Sequence, residues 1–171
     1  MGDTWVRVGA QCEISGEGLV VKKTKGGNYN RLCVAGAVLS SGVHTWEVVI
    51  DAGAVANQSI IMFIGVAREE LDVEKGNYNK KGEGWYLRPN DGSLFGGEHE
   101  AADDHGPRSF SIGDRVGVRL DLGDGSLKFY KNGEAFGTGF PAGTISGSVV
   151  RAVELVCSGQ SITLVPGAVL A

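Results

Sequence analysis

The chain has 171 residues, enough for one domain with a sizeable core. Its 42% hydrophobic and 21% charged content suits a water-soluble globule, and a net charge of −4 weighs against a general nucleic-acid binder, which would present a basic face. Cys12, Cys33 and Cys157 lie far apart without zinc-type spacing, residues 1–10 contain no apolar signal core, and no apolar run reaches the ~20 residues that cross a bilayer.

The 28 glycines are spread along the chain and read as turns and bulges. Short apolar segments between Gly, Asn, Asp and Ser predict strands at 12–15, 19–22, 31–34, 42–51, 60–67, 84–88, 93–95, 114–121, 126–131, 148–156 and 161–165. In the 42–51 segment, His44, Trp46, Val48 and Ile50 alternate with Val43, Thr45, Glu47 and Val49, and the set holding Trp46 is the expected core face. The 60–64 segment, IIMFI, is apolar throughout and predicts a strand covered on both faces. The 67–75 segment, AREELDVEK, is the best helical candidate, with room for a turn or two. Further on, Val116, Val118, Leu120 and Leu122 point one way, with Arg115, Arg119 and Asp121 on the other side. Asp124-Gly125 and Asn132-Gly133 then read as two hairpin turns of two residues each. Together these predict an all-β, antiparallel fold of the sandwich or barrel kind.

Five pieces in order carry a more specific resemblance. Gly42-Val43-His44-Thr45-Trp46-Glu47-Val48 resembles a G-x-x-x-W-E-V strand of the SPRY domain, and Ile64-Gly65-Val66-Ala67 its V-G-V-A strand. Gly84-Trp85-Tyr86-Leu87 is similar to its S-W-G-W-x-L step. Gly113-Asp114, Val116-Gly117-Val118 and Leu120-Asp121 match its G-D-x-V-G-V-x-L-D. Leu127, Phe129-Tyr130 and Asn132-Gly133, with Gly137 and Phe140, complete the series. The resemblance covers 41–165, with 1–40 matching loosely as the first strands, and implies one SPRY domain over 1–171. The implied fold is a concanavalin-like jelly roll, a two-sheet antiparallel β-sandwich. The implied function is that of a non-catalytic module, as in ubiquitin-ligase adaptors, tripartite-motif proteins, Ran-binding-protein-M-like scaffolds and calcium-release channels. Loops at one end of the sandwich would bind a short peptide segment of a partner protein. Neither cofactor nor metal, and neither nucleic acid nor membrane, is expected. The chain is expected to be a monomer in the cytoplasm or nucleus.

The resemblance places several loops at the peptide-binding rim. The word Gly-Asn-Tyr-Asn occurs at 27–30 and at 76–79. Asn28, Tyr29, Asn30 and Arg31, with Tyr78 and Asn79, either line a peptide pocket or simply turn the chain and pack on the sandwich. Asn57, Gln58 and Ser59 are either polar peptide contacts or a solvated loop. Cys157 and Ser158 stand where the adaptor branch has a Trp-Gly pair, so that branch's ligand does not carry over. Lys22, Lys23, Lys25 and Arg31, and again Lys75, Lys80 and Lys81, flank the two repeated words and either steer an acidic peptide or lie on a solvated surface. The run 98–105, EHEAADDH, reads as an acidic loop without a recognised metal pattern. No nucleophile-elbow, P-loop or dinucleotide-binding motif is present. Two rivals are a carbohydrate-binding lectin and a glycan hydrolase on a similar sandwich. The first lacks an ordered galectin-like residue set, the second a carboxylate-bearing strand.

Overall fold

The computed structural model describes residues 3–26, 32–96 and 109–170. Its strands are β1 (Trp5–Val8), β2 (Cys12–Ser15), β3 (Val20–Lys23), β4 (Leu32–Leu39), β5 (Val43–Ala52), β6 (Met62–Arg68), β7 (Gly84–Arg88), β8 (Ser93–Phe95), β9 (Arg115–Asp121), β10 (Ser126–Lys131), β11 (Glu134–Phe140), β12 (Val149–Leu155) and β13 (Ser161–Pro166). They form two antiparallel sheets, one ordered β1-β4-β12-β6-β7-β8 and the other β11-β10-β9-β5-β13-β3-β2. This is the expected β-sandwich.

Strand periodicity fills the space between the sheets. Trp46, Val48 and Ile50 from β5 meet Met62, Ile64 and Val66 from β6, with Val116, Val118 and Leu120 from β9 and Val149, Val153 and Leu155 from β12. The apolar run 62–67 of β6 is covered on both faces, because Phe63 and Ala67 join a second cluster on the outer face of the six-stranded sheet. Tyr86, Val150, Ala152, Val156 and Cys157 belong to that cluster, and Tyr78 and Phe95 pack against it.

The segment 67–75 is not helical. Ala67 and Arg68 finish β6, and isolated turns follow, closed by Leu71 N–H donating to the Arg68 carbonyl and Lys75 N–H to that of Asp72. The Arg7 guanidinium takes the carbonyls of Glu69 and Leu71, and the Asp72 carboxylate accepts the Glu74 N–H. A helix would need those backbone groups for itself. With Leu71 buried in the outer cluster, tertiary contacts override propensity.

Two strands lie beyond those predicted, β1 and β11. Both break the alternating pattern with register shifts, between Trp5 and Arg7 and opposite Leu127/Phe129. The first hairpin turn is also longer than expected. Residues 122–125 separate β9 from β10, organised by Asp121, whose carboxylate accepts the N–H groups of Gly123 and Asp124. The second is a two-residue turn, with φ of 50° at Asn132 and 88° at Gly133.

Candidate functional site

Register places two loops side by side at one end of the six-stranded sheet. Met62 opens β6 opposite Leu155, which closes β12. The loop 53–61 entering β6 therefore neighbours the loop 156–160 leaving β12. Gln160, fully buried, fastens them together. Its side-chain oxygen accepts the N–H groups of Val156 and Cys157 at 2.8 and 3.0 Å. Its amide nitrogen donates to the carbonyls of Ser59 and Ile61 at 3.0 and 2.8 Å. The Val55 N–H adds a bond to the Ser158 carbonyl at 3.0 Å. Gly53 and Gly159 permit this approach: a Cβ at Gly53 would lie 2.2 Å from the Gln58 carbonyl oxygen, and one at Gly159 2.4 Å from Val55.

The first loop is stiff in itself. Gln58 sits at φ 60°, its N–H bonded to the Ala54 carbonyl. Asn57 accepts the Ser59 N–H through its side-chain oxygen, and the Ser59 hydroxyl accepts the Ile61 N–H. Asn57 and Ser59 thus shape the loop, which points Asn57 and Gln58 into solvent. The apex residue Val55 is 76% exposed. It escaped the sequence reading because an isolated valine between alanines carries no signal for exposure.

Beside these loops the outer face is aromatic. Tyr78 stacks on Phe63 with ring centroids 4.2 Å apart and meets Phe95 edge-on at 5.5 Å. The Arg88 guanidinium lies over Phe95 at 4.8 Å and pairs with Asp91. Partial burial pushes the Asp91 carboxyl up, but hydrogen bonds from Arg88 and Ser93 outweigh it and hold the group below its ordinary range. Tyr78 is delivered here by the 69–83 segment, which crosses the sheet. The Glu154 carboxylate accepts the N–H groups of Asn77 and Tyr78, and the Tyr86 hydroxyl donates to the Asn77 side-chain oxygen at 2.5 Å.

Of the residues singled out from sequence, Asn57, Gln58, Ser59 and Ser158 therefore share one pair of loops. Tyr78 and Cys157 belong to the adjoining cluster, where Cys157 is only 6% exposed and faces inward. Asn79 is exposed beyond Tyr78. Asn28, Tyr29, Asn30 and Arg31 lie outside the described residues, as does the acidic run 98–105. Lys23 is buried, donating to the Lys25 carbonyl, so it is not part of a basic surface. Among the described residues no group of three or more His, Cys, Asp or Glu is placed to hold a metal ion. A cavity of about 270 Å³ beneath the 69–83 segment is lined by Arg68, Asp72, Lys75, Asn77, Lys80 and Glu83, among others. Three basic and three acidic side chains line it, so its charge is mixed.

The chain matches the family model described as SPRY domain over residues 43–168. Similar solved structures are the SPRY domain of human HERC1, with 20% identity, 92% of this chain and 94% of that chain covered, and a TM-score of 0.73. A human SPRY domain follows, with 15% identity, 96% and 100% coverage, and a TM-score of 0.68. The TRIM65 PSpry domain has 17% identity, 94% and 87% coverage, and a TM-score of 0.70. These likenesses support the fold. A comparison with curated proteins finds no match.

Proposed function

The chain belongs to the SPRY family, and from that premise we propose that the loop pair 53–61 and 156–160, with the adjoining Tyr78 surface, binds a short extended segment of a partner protein. SPRY domains are protein-interaction modules. The observation that carries the finer reading is the Gln160 clamp, which holds the two loops in a preformed arrangement. Preformed loops lose little conformational freedom on binding, so even a short peptide retains affinity. Val55 and Tyr78 supply apolar anchors, while the side chains of Asn57, Gln58 and Ser158 face the peptide backbone. The module performs no catalysis, acts as a monomer, and works in the cytoplasm or nucleus, where free thiols persist.

Affinity capture from native lysate with quantitative mass spectrometry tests this reading. Val55→Asp and Tyr78→Ala each lower recovery of the same partners by about tenfold or more. Lys128→Ala, on the opposite sheet, leaves recovery unchanged. Equal recovery by rim variants that retain the wild-type unfolding temperature refutes the site.

A further inference from the structure

The outer face of the seven-stranded sheet contains a hole where a side chain is missing. Tyr130, Gly117, Glu47 and Val165 lie in one row across β10, β9, β5 and β13. Gly117 has no positive φ, so the position requires room rather than an unusual backbone. A Cβ there would lie 2.8 Å from the Tyr130 Cβ and 3.1 and 3.2 Å from the two methyls of Leu170. The space above Gly117 is thus taken by a leucine from the end of the chain. Tyr130 walls it, and the ion-paired Glu47 and Arg115, 3.1 Å apart, stand at its rim.

The segment bringing Leu170 is a strap. Gly167, at φ 73°, turns the chain away after β13, and the Thr45 hydroxyl donates to the Ala168 carbonyl. Val169 is 97% exposed while Leu170 is 8% exposed. Among the described residues no strand follows β13, so the strap adds no ladder to the sheet. Among the described residues, Leu170 over Gly117 and the Thr45–Ala168 hydrogen bond hold it.

We propose that the notch over Gly117 is a second protein-docking site, independent of the rim and occupied in cis by the chain's own strap. Its ligand is an extended protein segment that places an aliphatic side chain over Gly117 and, two residues earlier, a carbonyl at Thr45. The strap defines that chemistry because it is itself seated there. A partner segment must displace it, which weakens apparent binding by the fraction of time the notch is closed.

The test uses the 171-residue chain carrying Leu170→Asp and, as probe, a peptide of sequence PGAVLA, followed by amide chemical shifts. Saturable shifts centred on Thr45, Gly117 and Tyr130 are expected, with affinity about tenfold weaker in the wild-type chain, where the strap competes. Adding Gly117→Ala to Leu170→Asp fills the notch and abolishes the shifts. Should that variant not fold, adding Thr45→Val instead removes the hydroxyl and weakens them. Absent shifts, shifts at the rim loops, or equal affinity for wild type and Leu170→Asp overturn the proposal. So does wild-type self-association by exchange of straps, which would make a second copy the occupant. The rim variants Val55→Asp and Tyr78→Ala leave these shifts unchanged.

Discussion

Gln160 makes four hydrogen bonds from a fully buried amide, and no smaller residue reproduces them. Gln160→Ala removes all four bonds, and although the Ser59 carbonyl keeps the Ala54 N–H, the loss is about 2–4 kcal/mol, measurable by urea unfolding. The same variant loosens the two loops, so the proposed peptide affinity falls further than that of Asn57→Ala. Cys12 offers a pH-dependent check. Burial pushes its thiol up to about 11 from 9.0, the nearby Lys23 ammonium lowering it in part. The folded chain therefore holds the thiol proton more tightly than the unfolded chain does. The stability from this group is fully present below pH 9 and is lost as pH rises from about 9 to about 11. Denaturant titrations of wild type and Cys12→Ala over that range show the difference, with the steeper fall in wild type.

At the scale of elements, the β10–β11 hairpin joins backbone geometry to side-chain bonding. Gly133 at φ 88° has open space around it, so Gly133→Ala costs only the strain of a left-handed backbone, about 1–2 kcal/mol. Asn132 does more. Its side-chain oxygen accepts the Arg115 N–H and its amide donates to Asp114, fixing the start of β9 to the turn. Asn132→Gly keeps the turn geometry but loses both bonds, and thermal unfolding shows a larger drop than for Gly133→Ala. The neighbouring β11 is an edge strand, and its ladder is interrupted around Gly137 and Gly139, at φ 64° and 66°. That bulge twists the edge away from intermolecular pairing.

Across the whole molecule, the connections that matter are distant in sequence. β12 sits between β4 and β6, with Val150 opposite both Val38 and Ala67. The six-stranded sheet cannot close until nearly all of the chain is available, so stopped-flow refolding takes milliseconds to seconds. Trp46, under the Arg151 guanidinium at 4.8 Å, lies where the two sheets meet. Trp46→Ala costs about 3–5 kcal/mol and lowers both sheets together, with near- and far-UV signals lost in one transition.

Much of this architecture was legible in the chain. Alternation in β5 named Trp46, Val48 and Ile50 as core, and the unbroken apolar run of β6 implied cover on both faces. The Asn132-Gly133 pair announced its turn because few residues accept its φ values. These features follow from local sterics and from the two-residue strand period, which act wherever the segment ends up. β1 and β11 were hidden because bulges interrupt that period, and the 67–75 segment was misread because Arg7, distant in sequence, captures its carbonyls. The rim was half visible. The polar residues of 57–59 stood out, whereas Val55 as an exposed apex and Gln160 as the clamp depend on a contact between loops about a hundred residues apart. The notch over Gly117 is the clearest case. A glycine in a strand marks a place for something, but only the folded sheet, by setting it between Tyr130 and Glu47, decides that Leu170 fills it.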